Sequence, residues 1–300
     1  MEGVLTERKE NVVNATRRQF LGSALAAGGA LAAGPTLGAE PAAATWRVGS
    51  CVVGLETAKA AGLDGVEVPV RLVGDGLDVA DRKVRDGYKR RMRETGLPVC
   101  SLMLGILNSY PLATDPRAPR WLEQAVDAAR DLGAKVILVA FFGNGDLLGG
   151  DGKVKKAALD AAVDRLKVAA PRAHDAGVVL AVENYLDAAQ NLALLDRVGS
   201  DAVQVYYDVY NTGITRGHDV PAEVRRLKGR IAQFHFKNGG QFLGEGKLRC
   251  EPIIAAMRDT GYRGWIVLET SNPTNDAIAD ARRNAKYVRQ LFAPRKRPSS

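Results

Sequence analysis

The chain has 300 residues, 46% hydrophobic and 25% charged, with 42 Lys+Arg against 34 Asp+Glu. Those proportions exclude collagen-like and disordered classes, and the length suits one large α/β domain. The excess of positive charge is spread along helices beside acids, as in Asp81-Arg82-Lys83-Val84-Arg85-Asp86, which reads as a solvated helix face and not as a nucleic-acid footprint. The cysteines, Cys51, Cys100 and Cys250, are odd in number and form no CxxC pair, so neither a disulfide framework nor a structural zinc site follows. Cys51 and Cys100 lie in apolar strand-like segments and read as buried small hydrophobes.

The leader comes first in chain order. Arg17-Arg18-Gln19-Phe20-Leu21 precedes an Ala/Gly-rich stretch to about Ala39, followed by Pro41-Ala42-Ala43-Ala44. A charged segment, a modest apolar segment and a small-residue cleavage site make a secretory signal. The paired arginines followed by Phe-Leu resemble a bacterial twin-arginine signal. Its glycines, its proline and its few large apolar residues make it a poor spanning helix. Residues 1–44 are therefore expected to be an export signal, cleaved after Ala39 or Ala44. The mature protein is expected in the periplasm or outside the cell, without stable membrane association. Residues 293–300, with Arg295-Lys296-Arg297, read as a basic disordered tail.

From residue 45 to residue 292 short apolar runs alternate with amphipathic stretches. Strands are predicted over 46–52, 65–70, 99–104, 135–141, 178–183, 203–208, 231–236 and 265–269. Helices are predicted over 56–61, 81–95, 117–132, 153–176, 188–198, 221–227, 251–260 and 274–292. Strict alternation means parallel strands with crossover helices. Continuous apolar runs mean strands covered on both faces. Asp131-Leu132-Gly133, Asp175-Ala176-Gly177 and Asp259-Thr260-Gly261 each put a glycine at a helix end. Eight units in about 250 residues favour a closed (β/α)₈ TIM barrel over an open doubly wound sheet.

The late strands stop at polar residues: Glu183, Asp208, His235 and Glu269. In a barrel those ends meet at the C-terminal mouth, where active sites lie. An acid at a strand end can simply cap the next helix, and a lone histidine can be a core residue. Four in register at successive strands are harder to explain that way. Three carboxylates together need a counter-charge, and one divalent cation supplies it. Two Glu, an Asp and a His suit Mn²⁺ best, with Mg²⁺, Co²⁺ or Zn²⁺ also accommodated. Six-coordination would leave two positions for water or substrate. Asn184 and Asn211 follow the Glu and the Asp, and Lys237 shares the strand face of His235. Glu67 contacts substrate or holds a barrel-interior network. Phe141, Phe142, Tyr110, Tyr185 and Tyr210 stack on a sugar or pack the core. His174 and His218 read as surface residues.

These segments resemble the xylose-isomerase-like TIM barrels, the sugar phosphate isomerase/epimerase group. The resemblance rests on Ala-Val-Glu183-Asn, Tyr-Tyr-Asp208-Val-Tyr-Asn, Phe-His235-Phe-Lys, Val-Leu-Glu269-Thr, Gly62-Leu-Asp-Gly-Val-Glu67 and Leu243-Gly-Glu-Gly. It implies that Glu183 and Glu269 both ligate the metal and exchange protons, and that Asp208 and His235 complete the metal site. It makes Lys237 a candidate substrate contact or a support behind the ligands, and Glu67, Asn211 and Phe142 are candidate substrate contacts by their positions at or beyond strand ends. Asn211 stands where ketose 3-epimerases often carry a histidine, so the particular ketose stays open.

The implied chemistry is proton transfer by the two glutamates through a metal-stabilised enediolate. With a leaving group β to the carbonyl, the same site would dehydrate a keto-sugar or cleave a 3-keto-glycoside. No P-loop or Rossmann fingerprint is present, and sugar phosphates are scarce outside the cytoplasm, so an unphosphorylated carbohydrate is the expected small-molecule partner. An apurinic endonuclease would need a histidine-rich centre, and the chain has three histidines. A non-catalytic sugar binder would not need two opposed bases. A homo-oligomer is compatible with the sequence.

Overall fold

The computed structural model describes residues 46–292. The proposed signal peptide and the basic tail lie outside the described residues. Eight strands form the frame: β1 Arg47–Ser50, β2 Gly65–Pro69, β3 Val99–Leu104, β4 Val136–Ala140, β5 Val179–Glu183, β6 Val203–Asp208, β7 Ile231–Phe236 and β8 Trp265–Leu268. Each is followed by a helix: α1 Leu55–Ala61, α2 Arg82–Thr95, α3 Ala118–Leu132, α4 Lys156–Asp175, α5 Ala188–Val198, α6 Val220–Arg226, α7 Cys250–Asp259 and α8 Ala277–Gln290.

The strands pair in parallel in chain order, and β1 also pairs with β8, with Arg47 opposite Trp265 and Ser50 opposite Leu268. That pairing closes the sheet and removes the open-sheet alternative. The architecture is a single-domain TIM barrel. Among the described residues no helix is long and apolar enough to cross a membrane.

The expected units are all present, and the differences lie at their ends. The start of α4 moves from Lys153 to Lys156 because Leu148 and Val154 bridge, and Lys155 N–H donates to Leu147 O, which ties residues 153–155 into a loop. A small antiparallel hairpin, Leu72–Val73 against Gly76–Leu77, fills the connection after β2 and was not expected. Gly133, Gly177 and Gly261 all adopt left-handed φ, at 77°, 63° and 70°, as helix ends require.

Packing explains why these runs fold here. Trp121 of α3 is fully buried, and its Nε1 donates to Asp75 O, anchoring the helix under the small hairpin. Truncating such a tryptophan typically costs about 3–5 kcal/mol. At the start of β2, a Cβ on Gly65 would lie 2.7 Å from the Trp265 ring and 2.8 Å from Pro98 O, so only glycine lets β1, β2 and β8 close at that level. Cys51, Cys100 and Cys250 are all buried free thiols.

The candidate active site at the barrel mouth

Strand alternation decides which side chains enter the barrel. Asp208 pairs with His235, and His235 pairs with Val267, so the donors of β6 and β7 sit at one level. Glu183 is the last residue of β5, and Glu269 lies one residue past β8. His235 is the penultimate residue of β7, not its last, because Phe236 still pairs with Leu268. That shift carries the imidazole one residue deeper into the barrel than the chain terminus of the strand.

One ligand atom from each of Glu183, Asp208, His235 and Glu269 lies within 4.8 Å of the others. Glu183, Asp208 and His235 are buried, and Glu269 keeps a third of its side chain exposed. Nδ1 of His235 is 3.3 Å from Glu183 Oε1 and 3.5 Å from Glu269 Oε2. Lys237 brings its Nζ to 2.9 Å from Asp208 Oδ2 and 2.7 Å from Glu269 Oε2. The ammonium, with the imidazole when protonated, offsets at most two of the three carboxylate charges.

Asp208 divides its work between its two oxygens. Oδ1 accepts from Tyr210 N at 2.8 Å and Asn211 N at 2.7 Å, which caps the turn leaving β6. Oδ2 is buried and faces the cluster, with Lys237 as ion-pair partner but no well-directed hydrogen bond. A buried carboxylate oxygen without a directed donor is suited to a cation. The donor set is three carboxylates and one imidazole, with buried facing atoms close enough to share one ion. It fits a divalent metal with oxygen preference.

The acids differ in electrostatic setting. Burial pushes the Glu183 carboxyl up to about 7, against the pull of His235. Burial also raises Asp208, opposed by Lys237 and His235. For Glu269 burial works upward as well, but His235 and Lys237 outweigh it and hold the carboxyl below its ordinary value. Burial disfavours the imidazolium of His235, yet the fields of Glu67 and Glu183 overcome it and raise the group well above the usual histidine range.

The remaining expected residues divide. Phe142 and Tyr185 meet edge to face, 4.8 Å between ring centres. The Tyr185 hydroxyl is raised by burial, opposed by Lys237 and helped by Asp146, Asp208 and Glu183, which sets it in the field of the cluster. Asn211 is buried, and its backbone N–H holds Asp208. Asn184 turns away: its side chain pairs with Asn191 of α5 and accepts from Leu186 N. It secures the helix and is not a companion of the site. Tyr110 packs against Trp121. His174 is exposed, whereas His218 is half-buried with its Nδ1 unpartnered, contrary to a surface position.

Glu67 does not face the mouth. It is the third of five residues in β2, 1% exposed, and hydrogen-bonded to Ser101, Tyr206 and His235. Of its two expected roles, this geometry is the interior network, and the substrate contact falls away because no face of the carboxylate is open. Ser101, Tyr206 and Gln233 belong to that network and were not anticipated. The signal was present: polar residues interrupt the otherwise apolar runs VCSLML, VQVYYD and IAQFHF.

Comparison with known proteins agrees with this architecture. An L-ribulose 3-epimerase of Mesorhizobium japonicum is 29% identical over 231 residues, covering 72% of this chain and 74% of that protein. A 2-epi-5-epi-valiolone 7-phosphate 2-epimerase of Actinoplanes sp. is 28% identical over 223 residues, covering 71% and 80%. Among solved structures, an L-ribulose 3-epimerase superposes with a TM-score of 0.67 at 20% identity, covering 85% of this chain and 100% of that one. The profile of the xylose isomerase-like TIM barrels matches residues 55–291, and the chain belongs to that family.

Proposed function

We propose that this protein is a divalent-metal-dependent sugar epimerase or isomerase acting on an unphosphorylated sugar or keto-sugar. The observation that carries the reading is the convergence of Glu183 and Glu269 on the same buried cluster as Asp208 and His235, within 4.8 Å. Epimerisation next to a carbonyl needs one group to remove a proton from carbon and another to return one. The two glutamates come from strands separated by β6 and β7, so they reach the cluster from different sides of the mouth.

Glu183, Asp208, His235 and Glu269 would hold the cation, with Mn²⁺ the best match to the donor set. When bound, it supplies Lewis-acid polarisation of the substrate carbonyl and makes the adjacent C–H more acidic. Glu269, held in its ionised form by His235 and Lys237, is suited to accept the proton from carbon. Glu183, from the other side of the cluster, is placed to deliver one. Lys237 holds Glu269 and Asp208 in place, and Phe142 with Tyr185 forms an aromatic wall for the sugar. The export signal expected over residues 1–44 would favour an unphosphorylated substrate in the periplasm or medium.

The test uses the mature protein loaded with Mn²⁺ in D₂O, with free ketoses, aldoses and 3-keto-glycosides. Deuterium entering an epimer or isomer, and lost in Glu269→Gln, supports the reading and identifies the substrate. Release of an aglycone or of water in place of an epimer redirects it to a lyase or hydrolase on the same site. No cation bound and no exchange with any sugar refutes it.

A further inference from the structure

Below the carboxylate cluster lies a second, closed layer of polar side chains: Glu67, Ser101, Tyr206 and Gln233, each at most 1% exposed. They come from β2, β3, β6 and β7, so the layer spans the barrel interior. Gln233 Nε2 reaches Ser101 Oγ at 2.7 Å and Tyr206 OH at 2.9 Å. Those hydroxyls in turn reach Glu67 Oε2, at 2.7 Å from Ser101 and 2.9 Å from Tyr206. Glu67 Oε1 lies 2.8 Å from His235 Nε2.

The donor inventory gives this chain a direction. An amide NH₂ only donates, and each hydroxyl owns one proton. Ser101 and Tyr206 accept from Gln233, so both spend their protons on Glu67 Oε2. Turning the Gln233 amide over would draw both hydroxyl protons to its oxygen and leave Glu67 Oε2 with none. Glu67 Oε2 thus accepts from both hydroxyls, and its Oε1 is left facing His235 Nε2, placed to accept the hydrogen of that nitrogen. Nδ1 is then the nitrogen that faces Glu183 and Glu269. Tyr206 also packs its ring against the imidazole, 4.5 Å between centres, which restricts rotation.

The geometry points to Glu67 as a positioning residue that fixes the tautomer and angle of His235 and thereby sets the cation affinity of the site. It is not one of the four clustered donors and meets them through His235, beside which the buried Cys51 thiol also lies. This inference rests on the reading of the cluster as a metal centre. Carboxylates placed behind ligating histidines commonly tune metal affinity by about 10–100-fold.

The test is competition of the full mature protein with a chromophoric chelator for Mn²⁺ and Zn²⁺, together with ¹⁵N spectra of the Zn²⁺ form. The chain has three histidines, so His235 is readily assigned. Wild type is expected to show a protonated Nε2 and a cation-bound Nδ1. Glu67→Gln is expected to keep its thermal transition without metal, to bind about 10–100-fold more weakly, and to lose the single-tautomer signature. Tyr206→Phe and Ser101→Ala each remove one donor to Glu67 and are expected to weaken binding less, in the same direction; they serve if Glu67→Gln does not fold. Affinity within twofold of wild type in all three variants, or a cation on Nε2, overturns the positioning role. Asp208→Asn separates the two readings: a wild type that binds no better than this variant refutes the metal centre itself.

Discussion

The two halves of the barrel carry different chemistry. Strands β5 to β8 each deliver one donor to the mouth: Glu183, Asp208, His235 and Glu269. Strands β1 to β4 deliver none of these. They contribute Glu67 and Ser101 to the layer beneath, and Phe142 just past β4 to the wall beside it. The second half is therefore where charge is concentrated at the mouth, while the layer beneath draws on both halves, Glu67 and Ser101 from the first and Tyr206 and Gln233 from the second. The barrel can separate these jobs because inward positions stack in levels. A polar residue one level down acts through a neighbour, whereas one at the strand end faces the substrate.

The sharpest way to break this comparison is to neutralise a mouth carboxylate. Glu269→Gln keeps size and shape but cannot accept a proton from carbon, so turnover is expected to fall about 10²–10⁴-fold, with cation binding also weakened. Steady-state rates beside a cation-binding isotherm separate the two losses. An unchanged rate would remove Glu269 from proton transfer. The next effect in size concerns Lys237, the cation that holds Asp208 and Glu269 together. Lys237→Met should lower the stability of the metal-free protein by roughly 2–3 kcal/mol, less than for a fully buried pair because Lys237 remains 21% exposed. Added Mn²⁺ should then raise the thermal transition more in the variant than in wild type. Calorimetry with and without metal reads the difference directly.

The fold and most of the mouth were legible in the sequence for a physical reason. Parallel strands covered on both faces are apolar throughout, so Glu183, Asp208 and Glu269 stand out where each run stops. The interior layer was harder to read because Ser101, Tyr206 and Gln233 look like ordinary interruptions, and Glu67, the partner that Ser101 and Tyr206 share, lies 34 and 139 positions from them. Nothing local joins residues that only barrel closure brings together. Asn184 misled for the opposite reason. Its position beside Glu183 suggested a shared role, but adjacent strand residues point to opposite faces, and its side chain went to α5.

The third effect is a pH dependence of cation binding. Protons compete with the cation at Glu183, whose carboxyl is raised by burial to about 7. Above that value the group is ionised and its own competition is small, leaving the proton on the raised His235 as the remaining competitor. Below it, affinity should fall by up to about tenfold per pH unit for this one proton. For the metal-free protein the sign runs the other way. A raised folded-state value means the Glu183 contribution favours the fold at low pH and is lost as pH rises through about 7. Metal titrations and melts at pH 6 and pH 8 should therefore move oppositely, and parallel movement would assign the cation-linked proton to another group.

The smallest effect tests the boundary between site and scaffold. Asn184 is adjacent to Glu183 in sequence, yet it donates to Asn191 Oδ1 at 2.9 Å and accepts from Leu186 N at 2.8 Å. Asn184→Ala leaves Asn191 short of a donor and frees the turn into α5. A loss of about 1–3 kcal/mol in stability is expected, with cation affinity unchanged and turnover within a few-fold below the melting transition. If cation affinity fell as steeply as in Glu269→Gln, α5 and its turn would have to be counted among the groups that place Glu183. The support of the charged mouth would then extend outward from the barrel interior to the helical shell.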